Sequence, residues 1–280
     1  MRGASFTLLA SIVVAITAGT VVTALAEEPK LEAEISRALL PEIAGAERLL
    51  VGVGELHGTN QAPLFVEALA RSLALRGYKV VLFLEEPPER EPFYLGENEG
   101  ETEARLRSSK FWAGAFQDGR AGLQSACVLI RLAALDPDIR LVAVDAAIEG
   151  KSRDEAMGEI LVKHLGSAQS GKVAGVFWAG NFHVIRRPSQ LGPSAFDIAA
   201  SRLPEFKDLR IDLAARSGSA FNCQRSLCAP HAIGGLSTPL GFEPEGPRSW
   251  TYTFRAFTPQ MPAISMLTGD SSLARFCTPA

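Results

Sequence analysis

The sequence predicts an α/β protein with a mainly parallel central sheet flanked by helices. Short Val/Leu-rich runs recur along the chain without strict alternation, the pattern of strands covered on both faces. Stretches of helical period separate these runs, which is the order expected of strand–helix–strand units. The length of 280 residues, 47% hydrophobic and 21% charged, allows one large core and excludes a disordered, collagen-like or coiled-coil chain. A formal charge of −3 provides no broad basic surface, so no nucleic-acid partner is expected.

In chain order, Arg2 precedes an uncharged, largely apolar stretch containing Phe6, Leu8, Leu9, Ile12 and Ile16 and ending Ala24-Leu25-Ala26. This pattern predicts a cleavable secretory leader over 1–26 and a single domain over 27–280. An uncleaved anchor is the competing reading, since the stretch is long enough to span a bilayer. Export to the periplasm or medium follows from cleavage, with no membrane association afterwards. Apolar runs at 49–53, 79–84, 139–144, 173–178 and, less clearly, 209–213 predict strands. Helices are expected at 63–76, with Gly77 as the stop, and at 121–135, ended by Asp136-Pro137. The capping box Ser152-Arg153-Asp154-Glu155 opens a third helix through Met157, Ile160, Leu161 and Leu165. Residues 217–246, rich in Gly, Pro, Ser and Cys, read as a long loop, and 250–257 alternates like a late strand. In an oxidising compartment Cys223 and Cys228 can close a short loop, leaving Cys127 for Cys277. A zinc site is the alternative, and no histidine stands at the spacing it needs.

Open α/β sheets bind ligands beyond the carboxyl ends of their strands. There the sequence collects its polar groups. Gly54-Glu55-Leu56-His57-Gly58 follows the first run, Glu85-Glu86 the second, Asp145 the third, and Gly180-Asn181-Phe182-His183 the fourth. Alternation turns only one of Glu85 and Glu86 inward, and Glu85, the first after the apolar run, is chosen. No nucleophile elbow, Walker loop or dinucleotide fingerprint is present. Two imidazoles and a carboxylate, His57, His183 and Glu85, can bind a divalent metal ion and lower the pKa of its water. A histidine held by a carboxylate can instead deprotonate water directly. Both routes lead to hydrolysis of a small-molecule or peptide substrate. His164 reads as structural, and His231 lies in the expected loop.

Gly54-Glu55-Leu56-His57-Gly58-Thr59, Glu85 and Gly180-Asn181-Phe182-His183 resemble the erythromycin esterase/ChaN/Tiki-TraB superfamily. Trp112 with Gln117-Asp118-Gly119-Arg120, and Arg153-Asp154 with Met157, add to the resemblance, which spans about 49–185. It implies motifs clustered at one rim of an α/β core. It also implies His57 as water-activating base or metal ligand, Glu55 and Glu85 as its carboxylate partners, and His183 as second ligand or stabiliser. Arg120 would hold an anionic group or make a surface salt bridge. Asp118 would line the substrate region or cap the following helix, and Asp145 would orient a neighbour or cap. A ChaN-type haem-binding protein is the alternative. That branch ligates haem through tyrosine, and Tyr78, Tyr94 and Tyr252 all stand outside the motifs.

Overall fold

The computed structural model describes residues 28–88, 98–113, 118–135, 139–167, 171–185, 189–224, 227–263, 273 and 277. The expected leader at 1–26, Tyr94, Gln117 and the Asp136-Pro137 break lie outside them.

Helix α1 (Glu28–Ile43) precedes β1 (Arg48–Glu55), α2 (Gln61–Ala74) and β2 (Lys79–Leu84). Then come α3 (Glu99–Ser108), α4 (Lys110–Ala113), α5 (Leu123–Leu135) and β3 (Arg140–Ala143). Helix α6 (Arg153–Gly166) leads to β4 (Val173–Gly180), the one-turn α7 (Asn181–Val184), α8 (Ala195–Arg202) and β5 (Lys207–Ala215). The chain continues through β6 (Ser219–Gln224), β7 (Leu227–Ala232), β8 (Gly241–Gly246) and β9 (Ser249–Phe254).

The main sheet has seven strands in the order β3-β2-β4-β1-β5-β9-β8. All its pairings are parallel except β8 with β9, in agreement with the expected fold class. Alternate strand residues serve opposite cores. Val51, Val53, Leu82, Val176 and Ile211 pack with α1, α2 and α5 on one face. Leu50, Phe83 and Phe177 pack with α6 and α8 on the other. Helix α1, which the sequence reading missed, buries Leu31, Ile35, Leu39 and Ile43, four residues apart on one stripe.

The helix after β1 therefore covers one face and the helices after β4 cover the other, although β1 and β4 are neighbours. Beyond their paired carboxyl ends the two connections part to opposite faces and leave a crevice, the switch point of the sheet. Glu55, the last residue of β1, stands beside Gly180, the last of β4.

One expectation is corrected. Residues 217–246 are not a long loop: they contain the antiparallel β6–β7 hairpin and strand β8. Composition concealed these strands because Gly, Pro and Ser carry little strand propensity. Order here comes from tertiary contacts: Cys223 pairs directly opposite Cys228, and Phe221 N donates to Gly58 O at 2.9 Å.

Both expected disulfides, Cys127–Cys277 and Cys223–Cys228, are present. The first closes a separation of 150 residues and the second one of only 5. Loop-closure entropy then predicts about 5 kcal/mol of stabilisation from the first and roughly 2 from the second. Thermal melts of Cys127→Ala/Cys277→Ala and Cys223→Ala/Cys228→Ala should show a clearly larger loss of Tm for the first. Equal losses would contradict this assignment.

Candidate functional site

The rim of the sheet brings together Glu55, His57, Glu85, Asp118, Arg120, Asp145 and His183. His57 leaves β1 over Gly180, where a Cβ would stand 2.9 Å from His57 Nε2 and would push the ring off Glu85. His57 Nδ1 lies 2.7 Å from Glu55 Oε1, and Nε2 lies 3.3 Å from Glu85 Oε2. Glu85, 6% exposed, accepts from Gly180 N at 2.7 Å and from Arg153 Nη2 at 2.6 Å. His183 Nε2 lies 3.6 Å from the other Glu85 oxygen, so the carboxylate sits between two imidazoles. Glu86 turns away and accepts from Trp112 Nε1 at 3.1 Å.

Two guanidinium groups frame this carboxylate. Arg120 donates to Glu85 O at 2.9 Å and Asp145 Oδ2 at 2.8 Å, and pairs with Asp118 at 2.6 Å. Asp118 therefore grips Arg120 rather than capping α5. Arg153 donates to both oxygens of Asp145, at 2.6 and 2.7 Å. Asp154 accepts from Ala195 N at 2.9 Å and lies 2.8 Å from His183 Nδ1. Arg153 Nη1 faces His183 Nε2 at 3.3 Å.

Charge states follow from these partners. Burial works against a charged imidazole, but the carboxylates of Glu55 and Glu85 outweigh it and push His57 up to about 10. Burial works against an ionised Glu85 as well. The bond to His57, the nearby His57 and His183 and the Gly180 N–H hold it well below the usual carboxylate range. Asp145 is likewise lowered, its burial overcome by bonds to Arg153 and Arg120.

The cleft above these groups has a volume of about 370 Å³, with Leu56 and Phe182 as its apolar walls. Phe182 is 68% exposed. Beneath His57 and Glu85 a chamber of about 20 Å³ reaches Trp112 and Trp178, room for about one water. Trp178 Nε1 is buried there without a hydrogen-bond partner.

The donor set does not fit a divalent ion as it stands. Glu85 spends its oxygens on Arg153, Gly180 and His57, and a cation, Arg153, rather than a second ligand faces His183 Nε2 at 3.3 Å. Among the described residues no group of three or more His, Cys, Asp or Glu side chains is placed to hold a metal. Tyrosine-ligated haem finds no donor among the described residues lining the cleft. Tyr78 Oη bonds Ala46 O at the opposite rim, and Tyr252 Oη bonds Glu34.

Sequence reasoning missed the roles of Arg153 and Asp154. Both were seen only inside a capping box and a short motif, and neither was assigned to the site. His164 packs its ring against Phe83, and His231 lies on β7.

No protein-family description and no curated protein matches the chain. Among solved structures it is similar to a succinoglycan biosynthesis protein, at 9% identity and TM-score 0.46 over 84% of this chain and 99% of that one. It is similar to a Bacillus cereus protein at 9% identity and TM-score 0.43, with the same coverage of 84% and 99%. Bacterial protein toxins match at 17% identity and TM-score 0.38, over 68% of this chain and 39% of theirs. The chain thus spans about two fifths of the length of the toxins it matches. Likenesses of this size assign neither family nor activity.

The raised His57 value predicts a measurable linkage. Its proton stabilises the fold fully below the ordinary imidazole value near 6.5, and that contribution is lost as pH rises through about 10. The unfolding midpoint of the native chain should therefore fall between pH 7 and about 10, and His57→Gln should flatten that fall. A histidine resonance assigned to His57 that titrates near 6.5 would refute the assignment.

Proposed function

We propose that the chain is an exported hydrolase-like protein of the erythromycin-esterase/ChaN-like type, which activates water against an ester or amide bond without a metal. The observation that carries this reading is the unequal treatment of the two imidazoles. His57 has carboxylates at both ring nitrogens, at 2.7 and 3.3 Å, whereas His183 is hydrogen-bonded to a carboxylate only at Nδ1, and its Nε2 faces Arg153 at 3.3 Å and Glu85 at 3.6 Å in the wall of the cleft.

That difference divides the chemistry and reverses the roles the resemblance implied. Asp154 accepts from Nδ1–H of His183, and the Nε2 lone pair, which faces Arg153 Nη1 at 3.3 Å, takes a proton from water as Arg153 turns to the substrate. The hydroxyl adds to the carbonyl carbon, and the guanidinium of Arg153, its side chain 45% exposed, offers positive charge to the developing oxyanion. His57, as imidazolium, gives its Nε2 proton to the leaving oxygen or nitrogen as that bond breaks. Glu55 and Glu85 keep the imidazolium charged and oriented. The cleft volume suits a small molecule or the end of a short peptide. Two disulfides among the described residues, together with the leader-like start, support export.

Chelator-treated protein should hydrolyse a panel of activated esters and peptide amides above the uncatalysed rate. His183→Gln and His57→Gln should each lower kcat/KM by about 10²- to 10⁴-fold. Asp154→Asn should lower kcat with KM little changed, because it disturbs the base rather than the cleft. Wild-type rates in both histidine variants would overturn the reading. No turnover on any probe, with stoichiometric haem or metal uptake, would replace it by a binding role.

A further inference from the structure

A second cavity, of about 200 Å³, lies between α1, the start of α2 and the ends of β8 and β9, and shares no lining residue with the His/Glu cleft. Its apolar surface comes from Leu31, Leu64 and Phe254, of which Leu31 is 5% and Phe254 8% exposed. One carboxylate interrupts that surface. Glu34 Oε2 accepts from Tyr252 Oη at 2.6 Å. Its other oxygen stands 3.7 Å from Lys30 Nζ, beyond hydrogen-bond length, and so keeps capacity for a stronger donor. Gly241, at φ +90, lies beside the same carboxylate, with Glu34 Oε2 3.8 Å from the position of a Cβ there. Lys30 and Arg255 stand at the mouth, both exposed, and Arg255 has no carboxylate partner among the described residues.

We propose that this cavity binds a small zwitterion with an apolar body, of the class of the apolar amino acids. Glu34 takes the ammonium, which displaces Lys30. Lys30 and Arg255 take the carboxylate, and the apolar body rests on Leu31, Leu64 and Phe254. The volume is below the range of about 300–1,000 Å³ typical of drug-sized ligands, which restricts the occupant to a compact molecule. Opposite charges on wall and mouth explain why neither a simple acid nor a simple amine satisfies the site: each leaves one buried or rim charge without its counterpart. This site is independent of the hydrolytic reading.

The test is a calorimetric or ligand-observed NMR titration of the full chain with L-leucine and L-phenylalanine. Isoamylamine, 4-methylpentanoate and glycine, which lack the carboxylate, the ammonium and the apolar body respectively, serve as comparisons. At least one of the two amino acids should bind about tenfold more tightly than all three comparison compounds. Glu34→Gln should weaken that binding about tenfold. Arg255→Gln, at an exposed side chain, should weaken it severalfold and keeps the test decisive if Glu34→Gln disturbs Tyr252. Absence of saturable binding of both amino acids at about 1 mM would overturn the proposal. So would equal binding of the comparison compounds, or unchanged affinity in Arg255→Gln.

Discussion

The buried carboxylate of Glu85 is the group around which the rim is assembled. An ionised carboxylate removed from water costs several kcal/mol unless it is paired and hydrogen-bonded. Here the pairing draws on four strand ends: His57 after β1, Asp145 through Arg120 and Arg153 after β3, Gly180 and His183 at and after β4, and Glu85 itself after β2. Arg153 comes from α6 on one face and Arg120 from the segment before α5 on the other. Loss of either cation leaves the others to neutralise a charge that solvent barely reaches. The same carboxylate, together with Glu55, raises the affinity of His57 for its proton, so charge neutralisation in the core and the charge on His57 are coupled through one contact.

Repetition of Gly-x-x-His after β1 and β4 invites the idea of two equivalent histidines, and the backbone shows why they differ. Gly54 lies beside Ala179, while Gly180 lies beside Glu55, so the two motifs are out of step by one residue along the sheet. After β1 the chain runs out towards α2, and its histidine folds back over Gly180. After β4 it turns at once into α7, which presents His183 to the amino-terminal end of α6. One ring therefore bonds two carboxylates of the sheet rim, and the other bonds Asp154 on a helix and reaches Glu85 only at 3.6 Å. Similar spacing gave different surroundings because the switch point sends the two connections to opposite faces.

This contrast also sets the limit of what could be read from the residues. Strand positions were legible because buried parallel strands need continuous apolar runs, and the rim followed from asking what comes next. The disulfides were legible because four cysteines in an oxidising setting leave few pairings. Arg153 and Asp154 were not, for a local reason. The capping box is real, with Ser152 and Glu155 exchanging both bonds. Those two residues satisfy the helix start by themselves, so the residues between them are free to reach across the rim. The sequence carries no periodic or capping signal for such a role, since it depends on where α6 begins relative to β2 and β4. Strands β6 to β8 were hidden for the opposite reason: their residues are poor strand formers held by distant partners.

Those distant partners connect the motif-free end of the chain to the site. Gly58, next to His57, has φ +82, and a Cβ on it would meet Phe221 O at 1.8 Å. Gly58 O accepts from both Phe221 N and Gln260 N at 2.9 Å. Gln260 Nε2 donates to Gly119 O at 3.1 Å, between Asp118 and Arg120. The loops that carry His57 and Arg120 are thus fastened by the hairpin that Cys223–Cys228 closes and by the segment after β9. Cys277 fastens the chain further on to α5. Residues 49–185 supply the polar side chains of the rim, and the loops that carry His57 and Arg120 are bonded to later segments of the chain. A site whose hydrogen bonds must stay within tenths of an ångström needs a rigid backing. The last third of the chain, where the sequence shows least, provides it.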